Sequence, residues 1–252
     1  MTGLRLFTVT LVALFALGSS AVPAPADPGG AAPGILYLPD GSPLTVKLGN
    51  PMVRASGNGI EIAVRSTALL RGRLHISGTA PHGAGAVTIQ RHDELGGWVA
   101  VAGTAVAADG TFVATWRPNR LGTVQLRAVS GVPAAAVADD DPRAPQLSVS
   151  VYRPGIASWY GPTGPDQTTA CGVPFDEATL GVAHRTLPCG TPVTFYFKGR
   201  TITVPVIDRG PFVKGRSWDL TKAAHAALGG DDGLIRVGAL PMPAPPTAAR
   251  AR

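Results

Sequence analysis

An acidic and a basic side chain stand next to each other where an apolar segment of the sequence ends. Asp208 and Arg209 follow TITVPVI, in which every second residue is apolar, and precede Gly210-Pro211, a pair typical of turns. A carboxyl group held at the end of a strand can act as a general acid or base. The alternative is a turn in which the Asp208 carboxylate only accepts backbone N–H bonds.

The elements that must position this pair are a strand before it and a helix after it. Pro205 removes a hydrogen-bond donor, which predicts that the strand lies at a sheet edge or beside a bulge. Asp219 or Thr221 can cap the helix, Gly229 can end it, and His225 is expected to be exposed. The predicted buried face of the helix follows the spacing i, i+3, i+4, i+7 and i+8, and consists of Leu220, Ala223, Ala224, Ala227 and Leu228.

Residues 43–152 show apolar residues with a period of two, interrupted by the turn-like segments PHGAG, DELGG, ADG and RPNRLG. This pattern predicts six or seven short strands in an antiparallel β-sandwich of immunoglobulin type, and it resembles the Ig-like modules of bacterial surface proteins. The predicted inward faces are Leu74 with Ile76, Val87 with Ile89, Trp98 with Ala100, Phe112 with Ala114 and Trp116, Val124 with Leu126 and Ala128, and Leu147 with Val149 and Val151.

Composition and charge limit the remaining segments and the partners. The 252 residues include 24 prolines and 32 glycines, so part of the length is expected to be linker. Residues 27–42 are predicted to be a Pro/Ala/Gly linker and residues 241–252 a disordered tail. The net charge of +6 is spread thinly and forms no basic run, which excludes a nucleic-acid partner and suits an acidic cell-wall polymer.

The first 26 residues predict export. One charge, Arg5, precedes a twelve-residue apolar run, which is too short to span a bilayer as a helix but fits a signal peptide. Small residues allow cleavage after Ala21 or after Ala26, and no cysteine follows the run, as a bacterial lipoprotein would need. We therefore expect a secreted, monomeric protein with no stable membrane insertion after cleavage; an uncleaved anchor is the alternative.

The chain contains two cysteines, Cys171 and Cys189. An even pair in an exported protein predicts a disulfide. A metal site is not expected because the two thiols lack paired CxxC spacing, and a catalytic thiol is disfavoured because its partner would oxidise it outside the cell. No cofactor is expected.

Several motifs of the C-terminal third occur together in one order: ASWYG, TACG, FD, AHRTLPCGT, VPVIDRGPFVKGR and DLT. In this combination they resemble the RlpA family, septal-ring lytic transglycosylases of the bacterial wall. The resemblance implies a six-stranded double-psi β-barrel, as in expansins and barwin, over residues 153–240. The fold class expected for the whole chain is therefore mainly β, an Ig-like sandwich followed by this barrel with one short helix.

The resemblance also implies site residues. The family's required His and Asp map onto His184 and Asp208, with Asp208 as the general acid/base and His184 as a partner that orients substrate or shuttles a proton. An acidic residue of the family matches Asp176, whereas the Glu that many members carry is replaced here by Val173.

Three further side chains are candidates for substrate contact. Trp159 and Tyr160 can offer a flat platform for sugar rings, with core packing as the rival explanation for Trp159. Arg209 can meet carboxylates of the wall polymer. The sequence thus predicts a secreted lytic transglycosylase acting on peptidoglycan glycan strands. A non-catalytic, expansin-like glycan-binding protein is the alternative, which the loss of the Glu favours.

Overall fold

The structure is a computed structural model that describes residues 36–93, 97–131 and 141–243. The predicted signal peptide, most of the linker and most of the tail lie outside the described residues. All described residues belong to one compact unit, Leu36–Arg252, and they form strands with one short helix. None of the described helical residues forms a helix long and apolar enough to span a bilayer.

The first described segment lies on the barrel and not on the sandwich. Strand β1 (Lys47–Leu48) pairs antiparallel with Arg200 and Thr201 of the C-terminal region, and Leu38 and Leu44 pack against the core of that region. The sequence instead placed this segment in an extended linker and at the start of the sandwich. The physical cause is burial: when the two leucines cover the barrel, their apolar side chains are removed from water, which stabilises this placement.

The chain then forms a sandwich of two sheets. One sheet has the order β2-β3-β5-β8, and the other has the order β10-β9-β6-β7, with β4 parallel to the free edge of β10. The immunoglobulin-like assignment of this sandwich stays a prediction. Its strands are β2 (Met52–Gly57), β3 (Ile60–Arg65), β4 (Thr67–Leu69), β5 (Leu74–Thr79), β6 (Ala86–Asp93), β7 (Gly97–Ala105), β8 (Thr111–Trp116), β9 (Gly122–Ser130) and β10 (Gln146–Tyr160).

The predicted inward faces of the sandwich are buried in a core shared by both sheets, with one exception. Trp98 is buried outside this core, with the Arg127 guanidinium 4.4 Å from its ring centroid, and Ala100 is exposed. The register between β6 and β7 shifts at this point, since Ile89 pairs with Ala102 and Gln90 with Ala100. A bulge of this kind inserts one residue and reverses the alternation, which a strict period of two cannot show.

The hairpin of β2 and β3 was not among the predicted strands, although its turn carries a strong signal. Asn58 and Gly59 both have positive φ angles, 49° and 75°. This is the conformation of the two-residue hairpin turn that favours Asn-Gly. The segment MVRASGNGIEIAVR therefore contains the information for this hairpin.

Strand β10 belongs to both halves of the structure. Its first part pairs with β9 and β4, whereas residues 153–160 pair with strands of the C-terminal barrel. No break separates the two parts, so the sandwich and the barrel share one fifteen-residue strand.

The C-terminal region closes into a barrel, as predicted. Six strands form a ring in the order β10-β16-β13-β15-β14-β17, and β17 returns to β10. The ring encloses a core of apolar residues. Besides β10 it consists of β13 (Val182–Ala183), β14 (Pro192–Phe197), β15 (Arg200–Asp208), β16 (Trp218–Thr221) and β17 (Ile235–Pro241). Two short strands, β11 (Gln167–Thr168) and β12 (Pro174–Phe175), form a separate hairpin.

The helix α1 (Lys222–Ala227) is shorter than predicted, because Leu220 belongs to β16. Thr221 is the N-cap, and its hydroxyl accepts a hydrogen bond from Ala224 N. The sequence predicted an exposed His225, but the structure buries this side chain, and the residue is only 5% exposed. Gly230 leaves room for the ring, since a Cβ at that position would lie 2.3 Å from it.

Substitution of Gly238 tests the junction between sandwich and barrel. A Cβ at this buried position of β17 would lie 2.8 Å from Tyr152 Cβ and 2.9 Å from Leu69 Cδ2. We expect Gly238→Ala to lower the free energy of unfolding by about 1–3 kcal/mol, because the overpacked backbone has to shift. Gly103→Ala is the matched control, since its added Cβ meets nothing within 4 Å. Equal denaturation midpoints for the two variants would contradict this account of the junction.

Candidate active site

A bulge at the end of β15 turns Asp208 out of the barrel core. Val182 pairs with Val206, but the next residue, Ala183, pairs with Asp208, so Ile207 is the extra residue. Without it, Asp208 would continue the inward face of Val206 and the alternate residues before it. The expectation that the proline-containing strand lies beside a bulge is confirmed, and the bulge is what aims the carboxyl group.

The Asp208 carboxylate is fixed by backbone N–H groups. Its Oδ1 accepts hydrogen bonds from Ala170 N at 2.9 Å and from Arg209 N at 2.8 Å. Next to Ala170, Cys171 forms the predicted disulfide with Cys189. A disulfide closing a loop of this size contributes about 3 kcal/mol to stability, so it also holds one of the two donors in place.

The backbone of His184 pairs with that of Asp208, and the His184 ring is held in a defined tautomer. His184 N donates to Asp208 O at 3.1 Å, and the ring packs on Trp218 with 4.6 Å between centroids. The ring Nδ1 accepts hydrogen bonds from Thr186 N at 3.2 Å and Leu187 N at 3.0 Å. Because Nδ1 is an acceptor, the ring proton is on Nε2, and the neutral imidazole can donate from there.

Arg209 points away from the carboxylate of its neighbour. Its guanidinium donates to Leu187 O at 3.0 Å and His184 O at 3.3 Å, and lies 3.1 Å from Cys189 Sγ. The guanidinium therefore holds the loop that follows β13, and its role in substrate contact stays a prediction. Burial lowers the pKa of His184, and the charges of Arg185 and Arg209 lower it further.

Tyr160 lies near the acidic group of Asp208, and its role as a platform for sugar rings stays a prediction. Its ring packs on Phe175 with 5.1 Å between centroids, and its hydroxyl oxygen is buried. Burial raises the pKa of the Tyr160 phenol, and the nearby carboxylate of Asp208 raises it further. The hydroxyl is close enough to Asp208 to be affected by its charge, although it makes no hydrogen bond of ordinary geometry to any described residue.

Asp219 is a second acidic group, near enough to Asp208 for the charge of Asp208 to affect its pKa. It was not among the predicted site residues. Burial raises the pKa of Asp219, whereas the Ser158 hydroxyl and the charge of Arg216 oppose this and the charge of Asp208 adds to it. The pattern WDLT could have identified it, because Trp218 and Leu220 alternate inward and leave Asp219 on the other face.

Trp159 and Asp176 are not brought to Asp208 by any contact among the described residues. The Trp159 ring, 38% exposed, lies against His225 on the opposite face of β10 from Tyr160. Asp176 Oδ1 accepts hydrogen bonds from Ala178 N at 3.0 Å and Thr179 Oγ1 at 2.6 Å. This carboxylate caps its own turn, and its role in substrate binding stays a prediction.

The loop after Asp208 presents an exposed aromatic residue that the sequence analysis also missed. Phe212 is 82% exposed, although Gly210 and Pro211 before it are buried. Arg185 fixes the loop, donating from Nε to Pro211 O at 2.5 Å and from Nη2 to Arg216 O at 2.6 Å. Because Arg185 directly follows His184, the same segment carries the imidazole and holds the aromatic loop.

Val173, at the place of the family's Glu, lies beside the disulfide. It lines a cavity together with Leu38 and Cys171, and neither Asp208 nor His184 lines that cavity. The contact between His184 and Asp208 therefore forms without a contribution from position 173.

The arrangement supports acid–base chemistry. It combines a carboxylate held by two N–H donors, an imidazole with its proton on Nε2, and a half-buried carboxyl group with a raised pKa. Within residues 36–93, 97–131 and 141–243, no group of three or more His, Cys, Asp or Glu side chains is placed to hold a metal ion.

Comparison with known proteins identifies relatives of the barrel. Residues 153–239 match the family described as "Lytic transglycolase". Probable endolytic peptidoglycan transglycosylase RlpA of Aquifex aeolicus is 43% identical over 95 residues, covering 37% of this chain and 40% of that protein. Endolytic peptidoglycan transglycosylase RlpA of Campylobacter jejuni is 47% identical over 84 residues, covering 32% of this chain and 30% of that protein.

Among solved structures, the Streptomyces papain inhibitor (SPI) is similar with 31% identity and a TM-score of 0.26, covering 34% of this chain and 91% of that chain. The chain spans less than half the length of the curated relatives given above. The resemblance to RlpA that the motifs indicated is confirmed for the C-terminal barrel, and the family match begins at residue 153.

The tautomer of His184 predicts how stability depends on pH. Because the pKa of His184 is lowered from 6.5 in the folded protein, the unfolded chain takes up a proton first as the pH falls. We expect the free energy of unfolding to decrease as the pH is lowered below about 6.5, with His225, whose pKa burial also lowers, contributing in the same direction.

Two substitutions of His184 separate the effect of its titration from the effect of its hydrogen bonds to the loop. His184→Asn keeps an acceptor near Thr186 N and Leu187 N without titrating, so it should fold and show a smaller loss of stability in acid. His184→Gln places its amide further out and should lose the two loop bonds. Urea titrations at pH 5 and pH 7.5 measure both effects. An acid-side loss in His184→Asn as large as in the unchanged protein would contradict the assignment.

Proposed function

We propose that the protein is a secreted lytic transglycosylase that cleaves the MurNAc–GlcNAc bond of peptidoglycan glycan strands. The observation that carries the proposal is the Asp208–His184 pair, built by a bulge and two backbone donors in a barrel that matches the lytic transglycolase family. In this reaction the C6 hydroxyl of the muramic acid residue attacks its own C1, and the departing oxygen takes a proton. An acid–base carboxyl group and a neutral donor suffice for these steps.

In this proposal the two side chains have different tasks. Asp208, held at Oδ1 by two N–H groups, keeps its other oxygen for proton exchange with the substrate. His184 donates from Nε2 and orients a substrate oxygen, because its Nδ1 is occupied and its pKa is lowered. Of the two roles expected for His184, the structure favours orientation over proton shuttling.

The remaining parts of the proposal concern the whole chain. We infer export through residues 1–26, action outside the cytoplasm as a monomer, and presentation of the barrel to the wall by the sandwich. The shared strand β10 supports the last point, since it joins the two without a flexible linker.

Digestion of purified sacculi, followed by mass spectrometry, tests the activity. We expect 1,6-anhydromuramyl products, and a loss of at least about 100-fold in Asp208→Asn, because the acid–base group is removed. Asp109→Asn is the matched control, since that carboxylate caps an exposed turn of the sandwich.

The outcomes are distinct. Full activity of Asp208→Asn would overturn the site. Sacculus binding by the unchanged protein without any cleavage, beside an active control enzyme, would instead favour the alternative of a non-catalytic glycan-binding protein.

Phe212 provides a second test of the same proposal. An exposed aromatic ring on a fixed loop beside the acid–base pair fits the apolar face of a sugar ring. We expect Phe212→Ala to raise KM by about tenfold with little change in kcat, since it removes binding common to substrate and transition state. The exposed Val113→Ala on the sandwich serves as control. A fall in kcat with unchanged KM would contradict this role.

A further inference from the structure

Helix capping does not explain the burial of Asp219, and the Ser158 hydroxyl beside its carboxyl group only partly offsets the effect of burial on its pKa. Thr221, not Asp219, caps the helix, because the Thr221 hydroxyl accepts from Ala224 N. Asp219 lies in β16 between two core residues, Trp218 and Leu220, and faces the other side of the strand. Its Oδ1 is buried and makes no hydrogen bond of ordinary geometry to any described residue. A buried carboxyl oxygen without such a partner is unfavourable and is typical of functional sites.

Strand register brings Asp219 and Asp208 to one place. Ala183 of β13 pairs with Asp208 on one side and with Asp219 on the other. Because Ala183 carries only a methyl group, no side chain at that position fills the space between the two carboxyl groups. On the other side of β16, Ser158 pairs with Asp219, and Tyr160 follows two residues later on the same face. The hydroxyl oxygens of Ser158 and Tyr160 are buried as well.

The charges around Asp219 favour retention of a proton. Burial raises its pKa, and the negative charge of Asp208 acts in the same direction. Ser158 and the cation of Arg216 oppose both effects, while Tyr160, whose own pKa is raised, stays neutral. The other titratable group near the cluster is His184, which follows β13 and is neutral because its Nδ1 accepts two N–H bonds.

We propose that Asp219 is a second catalytic carboxyl group and that it supplies the proton taken by the departing glycosidic oxygen. This inference rests on the proposed function, which it changes in one respect. Asp208 no longer performs both proton transfers, because its Oδ1 accepts two N–H bonds and the second carboxyl group beside it can hold a proton. Two carboxyl groups in different environments can thus divide the acid and base roles.

The reaction breaks one bond at C1 and forms another. The bond between C1 of the muramic acid residue and the glycosidic oxygen breaks, and that oxygen takes the proton of Asp219. The C6 oxygen forms the new bond to C1 and gives its proton to Asp208. No oxidant, metal or water is consumed, and one proton has moved from Asp219 to Asp208. Exchange with solvent between turnovers returns this proton from Asp208 to Asp219.

The experiment combines activity, stability and titration in the full chain. We expect Asp219→Asn to reduce anhydromuramyl product formation by at least about 100-fold. At pH 7 its melting temperature should equal or exceed that of the unchanged protein, because the variant no longer buries an ionisable carboxyl group. Asp109→Asn again serves as control. In ¹³C NMR the Asp219 carboxyl carbon should titrate above 3.8, the ordinary value, and its midpoint should fall in Asp208→Asn.

Each result decides between the hypotheses. An active Asp219→Asn variant, or an Asp219 carboxyl group that titrates at its ordinary value, would overturn the donor role while leaving the proposed function intact. A lower melting temperature together with lost activity, and no change of the Asp219 midpoint in Asp208→Asn, would assign Asp219 a structural role only. Absence of product from the unchanged protein would overturn the proposed function and the donor role together.

Discussion

The continuous hydrogen bonding of strand β10 holds the sandwich and the barrel together. Its fifteen residues pair with sandwich strands at one end and with barrel strands at the other. A continuous hydrogen-bonded strand cannot bend freely at its middle without losing ladder bonds. Residues 36–48 add to this, because they lie against the barrel before the chain enters the sandwich. The chain therefore contacts the barrel both before it enters the sandwich and after it leaves the sandwich.

The candidate site depends on the same strand. Ser158 and Tyr160 on one face of β10 border the acidic groups, and Trp159 on the other face packs on the helix. Asp208 enters the site through a bulge in β15, and Asp219 enters through the alternation of β16. Short strands and a bulge, rather than flexible loops, therefore carry the carboxyl groups, which limits their movement relative to each other.

Several polar groups of the site are held in states that stability alone does not explain. The pKa of Asp219 is raised by burial, the Tyr160 hydroxyl is buried, and the ring of His184 is held as an acceptor at Nδ1. Arg209 and Arg185 offset part of this cost, since their guanidinium groups bind the backbone carbonyls of the adjacent loops. The two arginines thus act on the site through backbone geometry and not through contact with a carboxylate.

The sequence alone predicted the mainly β class, most of the alternating faces of the sandwich, the disulfide, and the place of Asp208 and His184 in an RlpA-like barrel. It also predicted that the strand of Pro205 lies at a sheet edge or beside a bulge. These features depend on local periodicity, on residue types, or on motifs in a fixed order. Four features are visible only in the folded chain: the direction of Arg209, the helix cap at Thr221 and not at Asp219, the position of Tyr160 near the acidic groups, and the segment before residue 49 that covers the barrel. Each of these depends on which strands become neighbours, and a bulge of one residue is enough to exchange the two faces of a strand.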